Sequence, residues 1–253
     1  MRGMDNSVFY ADPMIPSLGE GFSAVVAGAS GGIGQGLCRN LSMNSLCTRL
    51  YACARNPGPD GIRLDLDDEA SIEAAASRVG ADGQPALIIG AVGMLHDQDR
   101  GRMPEKSFRH LSHQGLMDYY TANCIAPAML AKHFLPLIPR RGKAVFALLS
   151  ARVGSITDNG KGGWHGYRAA KAGLNMMIRN FSLEMRLRNP DAVVIGLHPG
   201  TVATGLSEPF RGMVSHDIFT PDEAAGHLLA VIDAAGPDQS GHQLDWKGEI
   251  IPG

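Results

Sequence analysis

The chain has 253 residues, of which 44% are hydrophobic, and a formal net charge of -2 at pH 7. That is enough apolar material for one large domain with a substantial core, and it excludes a disordered chain. The near-neutral balance leaves no electrostatic case for nucleic acid or an anionic membrane as partner. The densest basic run, Arg140-Arg141-Gly142-Lys143, reads as a turn after a helix, where cations complement the dipole.

Residues 1–20 carry Asp5, Asp12, Pro13 and Pro16 and no apolar core, so they read as a tail or arm, neither signal peptide nor membrane anchor. From residue 21 to 253 the pattern is that of a single domain. Short apolar runs at 23–27, 50–54, 62–66, 86–90, 144–150 and 192–197 read as strands. Helix-like segments at 32–44, 69–79, 107–138, 164–188 and 221–235 lie between or after them. Near-continuous apolarity in the strands implies burial on both faces, as in a parallel sheet. The alternation predicts an α/β fold with one doubly wound, mostly parallel central sheet. The longest apolar stretch, 86–93, is too short to span a bilayer. Cys38, Cys47, Cys53 and Cys124 show no CxxC spacing and no histidine partner at zinc spacing. No metal site is expected, and reduced cysteines suit a cytoplasmic protein.

The first strand runs directly into Gly28-Ala29-Ser30-Gly31-Gly32-Ile33-Gly34. Gly28 opens the turn, Gly32 lets backbone approach a pyrophosphate, and Gly34 lets the helix pack close to the sheet. The free N–H groups at the helix start then face the anion. The spacing is G-x-x-x-G-x-G, and a glycine-rich turn alone is also compatible with an ordinary strand-to-helix loop. The end of the second strand discriminates between dinucleotides. An NAD site usually has an acid there, whereas this chain has Ala54-Arg55-Asn56, with the next acid at Asp60. Arg55 offers a charged fork to a 2′-phosphate, and Ser30 can add a hydroxyl. NADP(H) is therefore favoured, with NAD(H) as the alternative and a solvated loop charge as the bland reading of Arg55. Asp65, at the end of the third strand, is placed to accept from an adenine amino group, with a helix N-terminal acid as the bland reading.

Tyr167 and Lys171 stand four residues apart in Tyr167-Arg168-Ala169-Ala170-Lys171, on one face of a helix. Free tyrosine titrates near pH 10, and a neighbouring ammonium favours its phenolate. Tyr167 can then give a proton to a carbonyl oxygen or take one from an alcohol. Ala169, Ala170 and Gly173 on other faces allow close packing, within the chain or against a partner subunit.

Together these motifs resemble the short-chain dehydrogenase/reductase family over nearly the whole chain after Gly21. Pro199-Gly200-Thr201-Val202-Ala203-Thr204 resembles the family's P-G-x-x-x-T segment, which implies that Pro199, Val202 and Thr204 contact the nicotinamide amide. Leu244-Asp245-Trp246-Lys247-Gly248-Glu249 resembles its closing strand and tail. Asn123 falls at the family's helix asparagine, which orders a water leading to the lysine. Pro127 has no N–H, so the Asn123 carbonyl lacks its i+4 donor and can hold that water. The runs Gly90-Ala91-Val92-Gly93-Met94-Leu95-His96 and Ser150-Ala151-Arg152-Val153-Gly154-Ser155-Ile156 are most similar to the C-factor-like, carbonyl-reductase-like branch. The resemblance implies a Rossmann domain, Gly93 beside the cofactor, Lys171 on the nicotinamide ribose, a small-molecule carbonyl or alcohol substrate, and a homodimer or homotetramer.

Two positions depart from the family. Its Asn-Asn-Ala-Gly becomes Gly90-Ala91-Val92-Gly93, and the serine that binds the substrate oxygen aligns with Ala151. Strand alternation turns Ser150 the other way. Ser150 or Ser155 is the candidate substitute, with water as a further option. The segment 205–220, with Pro209, Phe210 and Ile218 among polar residues, reads as a substrate lid or as a surface helix. His96, His165 and His198 read as packing or loop residues. Two functions are carried forward: an NADP(H)-dependent carbonyl–alcohol oxidoreductase, and a dinucleotide-binding signalling or regulatory protein with little turnover.

Overall fold

The computed structural model describes residues 14–98, 100–213 and 218–253. Eight strands form one sheet: β1 (Phe22–Ala27), β2 (Cys47–Ala54), β3 (Ile62–Arg63), β4 (Leu87–Gly90), β5 (Ala144–Leu149), β6 (Ala192–His198), β7 (Gln243–Asp245) and β8 (Ile250–Ile251). Their order is β3-β2-β1-β4-β5-β6-β7-β8. All pairings are parallel except β7 with β8. The order reverses between β1 and β4, and a cleft opens at such a switch point beyond the strands' carboxyl ends.

Among the described residues six α-helices cover the sheet: α1 (Gly32–Met43), α2 (Glu69–Asp82), α3 (His113–Tyr120), α4 (Ala126–Phe134), α5 (His165–Arg188) and α6 (Pro221–Ala234). On one face Val25, Ile88, Phe146 and Val194 pack against Ile72 of α2, Phe134 of α4 and Ile178 of α5. On the other Val26, Ile89, Val145 and Ile195 pack against Leu37 of α1 and Leu228 of α6. Alternate residues of one strand thus feed two cores, which is why the strands are apolar throughout. Gly36 makes the α1–α6 contact possible: a Cβ there would lie 2.4 Å from the Pro221 carbonyl oxygen.

Three expectations change. The third strand ends at Arg63 instead of 66, because Asp68 already caps α2 by accepting from the Ala70 amide. The expected helix 107–138 is broken. Ser112 caps α3, a π-turn spans Thr121–Ile125, and a 3-10 turn occupies Leu135–Leu137 around Pro136. The closing segment is a hairpin, with Gly248 at φ 84 between β7 and β8. Within the segment expected as a tail, Ile15 is fully buried in the core and the Ser17 amide donates to Asp233. Among the described residues no helix is long and apolar enough to cross a membrane.

Candidate active site

The glycine turn leaves β1 at the switch point. The amides of Gly28 and Ala29 donate to the Cys53 carbonyl of β2 at 2.9 and 3.0 Å, fixing where the turn begins. Gly28 adopts φ 86, a left-handed value that glycine takes without steric cost. A Cβ on Gly34 would lie 2.1 Å from the Gly28 oxygen, and one on Gly32 would lie 2.5 Å from Thr204 Cγ2. No side chain caps α1, so its first amides remain available. A backbone cradle with no room for a Cβ at Gly28, Gly32 or Gly34, at an uncapped helix N-terminus, fits a dinucleotide pyrophosphate. Gly28, Ser30, Gly32, Ile33 and Gly34 would hold it.

Arg55 and Asp65 meet on the β2–β3 side of this turn. Arg55 Nε lies 3.3 Å from Asp65 Oδ1 and its Nη2 3.2 Å from Asp67 Oδ2. The guanidinium is therefore engaged by carboxylates, and at 64% exposure it is the most open group of the set.

A cleft of about 570 Å³ lies beyond the carboxyl ends of β5 and β6. It brings Ile33 of the glycine turn together with Ser150, Tyr167, Pro199, Val202 and Thr204. Leu206, Ser207 and Phe210, from the expected lid, line its other side. Of that lid, 214–217 lies outside the described residues. His198 also lines the cleft, and His96 Nε2 sits 3.0 Å from the Gly205 carbonyl.

Lys171 and Asn123 lie behind the cleft. Lys171 is 2% exposed; its Nζ donates to the Leu149 carbonyl at 2.8 Å and stands 5.9 Å from the Tyr167 ring centroid. Asn123 Nδ2 donates to the Met94 carbonyl at 2.8 Å, and its Oδ1 accepts from the Met94 amide at 3.0 Å. This two-way pairing pins the segment after β4 to the π-turn. Gly93 lets the two side chains converge, since a Cβ there would lie 3.0 Å from Asn123 Oδ1 and 3.2 Å from Lys171 Nζ. The π-turn begins where Pro127 withdraws a donor: the Ala126 amide reaches back to the Thr121 carbonyl.

Burial governs the titration of the pair. The Tyr167 phenol is pushed well above its ordinary value, by desolvation first and then by the neighbouring Tyr119. Lys171 is lowered to about 7 by desolvation, with Cys124 opposing. The expectation of a lowered phenol is thus reversed in the protein alone, because loss of water around each group dominates.

A pH effect on stability follows. Above about pH 7 the folded chain has released a Lys171 proton that the unfolded chain holds until about pH 10, so stability rises with pH across that window. Cys53, pushed up to about 12, opposes this from about pH 9. Burial also raises Cys38, Cys47 and Cys124. There the unfolded chain loses protons that the folded chain keeps. Thermal melts of the dinucleotide-free protein should climb between about pH 6.5 and 8.5 and fall above about pH 9. Lys171→Met should remove the climb; a climb that survives this change would refute the buried-ammonium account.

Ser150 faces α5, as alternation predicts: its hydroxyl donates to Asn175 Oδ1 at 2.7 Å. Ser155 Oγ accepts from the Asp158 amide at 2.9 Å and is buried. Ala151 belongs to a small apolar cluster with Leu95, Tyr119, Tyr167 and Ala170. Ala170 is thus intramolecular core, and Gly173 packs near Cys124 and Tyr120.

Two residues escaped the sequence reading. Glu105, buried, accepts the Trp164 amide on its carbonyl at 2.6 Å and the Gly166 amide on its carboxylate at 3.1 Å. It caps the helix carrying Tyr167 from 61 residues away, which no local pattern announces. Trp164 precedes that helix at φ 50. Gly160, Gly162 and Gly163 before it are the one available signal.

Comparison with known proteins agrees with this geometry. The model of the short chain dehydrogenase family matches residues 23–214. A 1-hydroxy-2-glutathionyl-2-methyl-3-butene dehydrogenase of Rhodococcus sp. (strain AD45) is 30% identical over 190 residues, covering 74% of this chain and 77% of that protein. The C-signal protein of Myxococcus xanthus is 33% identical over 134 residues, covering 53% and 75%. The crystal structure of an NADPH-bound carbonyl reductase from chicken fatty liver superposes with a TM-score of 0.78 at 27% identity, covering 92% of this chain and all of that one. With a family match across most of its length on a Rossmann sheet, the chain belongs to the short-chain dehydrogenase/reductase family of oxidoreductases, on its carbonyl-reductase-like side.

Proposed function

We propose that the protein is an NADP(H)-dependent reductase that interconverts a small-molecule carbonyl and its alcohol, with Tyr167 as acid–base residue. One observation carries the reading: Tyr167 and Ile33 of the phosphate turn line the same cleft, with buried Lys171 behind it. The bound dinucleotide supplies the hydride. Tyr167, whose phenol burial keeps protonated at neutral pH, gives its proton to the substrate oxygen. The phenolate left behind is stabilised by the Lys171 ammonium. The phenolate then takes a proton from the Lys171 ammonium, and a water held by the Asn123 carbonyl, which lacks an i+4 donor, returns one to Lys171. Gly93 gives that relay its space, and Pro199, Val202 and Thr204 seat the nicotinamide end. Residues 205–210, of which Leu206, Ser207 and Phe210 line the cleft, act as the lid.

Ala151 and the Ser150–Asn175 bond favour a second reading, a dinucleotide-binding regulatory protein with little turnover. Ser150 has turned its proton away, and an absent oxyanion donor typically costs about a hundredfold in rate. Following NADPH absorbance against a panel of ketones and aldehydes separates the two. If NADPH binds and no carbonyl is reduced, the reductase reading fails.

The cofactor preference rests on Arg55, supported by the NADPH bound in the chicken relative. On NADPH binding the guanidinium exchanges Asp65 and Asp67 for the 2′-phosphate. Arg55→Ala should lower the NADPH-over-NADH ratio of kcat/KM by about tenfold, the value of one solvent-exposed charge-assisted bond. An unchanged ratio would refute the assignment. Asp65 then faces the adenine. A second copy of the chain is the expected protein partner, as homodimer or homotetramer. Exposed Met117, Tyr120 and Ile125, together with Met176, Leu183 and Leu187 on α5, give it an apolar face. Four free cysteines suit the cytoplasm.

A further inference from the structure

We propose that Trp164 is a specificity-determining residue, its indole forming the wall of the cleft that receives a flat apolar group attached to the substrate carbonyl. The proposal rests on the carbonyl–alcohol reading and names its substrate class.

Among the described residues Trp164 is the one non-glycine with positive φ, at φ 50 and ψ 41. A bulky side chain in that region is an outlier, and such strain persists only where the surroundings enforce it, typically at functional sites. Gly162 and Gly163 precede it at φ 62 and 67, so a third glycine would continue the turn without strain. The indole gives nothing to the helix start, where Trp164 itself makes no cap hydrogen bond and Glu105 serves both amides. From the other side Arg168 Nε donates to the Gly163 carbonyl at 3.0 Å. The backbone is therefore held at both ends independently of the side chain it displays.

What that side chain does is line the cleft. Its ring centroid lies 5.2 Å from Phe210 and 6.3 Å from Tyr167, the latter edge to face. It stays partly exposed, so a face remains for a ligand beside the reacting oxygen. An aromatic wall offers large contact area at low entropic cost. The arginines of the cleft are occupied. Arg152 bridges Asp158 and Asp245, and Arg168 holds the carbonyls of Gly163 and Val153. The rings of Trp164 and Phe210 are the aromatic surface that the cleft offers to the substrate body, in a lining that also includes Lys161.

The test compares native protein, Trp164→Gly and Trp164→Phe, each with NADPH, on acetophenone and on propanal. Trp164→Gly should fold, since glycine suits the turn. Its kcat/KM for acetophenone should fall by at least about tenfold, mainly through KM, while that for propanal stays within about threefold. Trp164→Phe should recover most of the loss. Equal losses on both carbonyls, or no loss on acetophenone, would overturn the proposal. If Trp164→Gly does not fold, Trp164→Asn, also tolerant of left-handed backbone, takes its place. If the native chain reduces neither compound, the carbonyl–alcohol reading fails separately, and the wall is judged by calorimetric titration of acetophenone into the NADPH-saturated protein. Binding about tenfold weaker without the indole supports it. Equal binding, or none to the native protein, overturns it.

Discussion

Tyr167→Phe is expected to lower kcat for carbonyl reduction by about a thousandfold while leaving the NADPH dissociation constant within about twofold. The change removes one oxygen and keeps the ring, so the edge contacts with Trp164 and Tyr119 persist. The helix keeps its Glu105 cap, and Lys171 keeps the Leu149 carbonyl. Tyr167 is 7% exposed, and burial favours the protonated form of its phenol. Among the groups proposed for the cleft it is the one placed to give a proton, because Ser150 has committed its own to Asn175. Stopped-flow measurement of hydride transfer together with a fluorescence titration of NADPH checks both halves. A variant that reduces carbonyls at the native rate would remove Tyr167 from the chemistry. A variant that loses carbonyl reduction and NADPH binding together would show that the phenol holds the cofactor.

The parts of this protein that the sequence discloses are those where one local rule dominates. Strands β1, β4, β5 and β6 are buried on both faces, so their composition alone separates them from the helices. The glycine turn is legible because its constraint is steric: only glycine fits where a Cβ would meet backbone 2.1 Å away. The Tyr167–Lys171 spacing is a property of one helix. Legibility fails where distant segments act on one another. Desolvation from packing against Leu95 and Tyr119 reverses the titration of the phenol, and no i+4 rule contains that effect. Glu105 reads as an ordinary surface acid until the fold carries it to the start of α5. The region 107–138 shows continuous helical character, yet Pro127 and Pro136 divide it through the hydrogen bonds that they withhold. Arg55 was readable as a cation after β2, but its two carboxylate partners depend on how the chain returns after β3.

Gly34→Ala should do the most damage to cofactor binding of any single methyl addition in the chain. The added carbon would stand 2.1 Å from the Gly28 oxygen and 3.0 Å from the Ala29 Cα, all backbone, so the turn itself has to move. Overpacking of that kind costs about 3 kcal/mol, a fall in melting temperature of roughly 10 °C for a domain of this size. Loss of stability alone would not identify the turn as the phosphate site, and Gly36→Ala supplies the comparison. Its Cβ would meet the Pro221 oxygen at 2.4 Å on the other side of the same helix, away from the cradle. Both variants should melt earlier by similar amounts. Only Gly34→Ala should displace the amides proposed to hold the pyrophosphate, and two weakened charge-assisted bonds correspond to about a hundredfold loss in NADPH affinity. Gly31→Ala, with its nearest contact at 3.4 Å, should bind and melt as the native protein does. NADPH titrations at a temperature where all three remain folded read the difference directly. If Gly36→Ala weakens NADPH as much as Gly34→Ala, the loss belongs to the packing of α1 on α6 and the cradle has no special part in holding the dinucleotide.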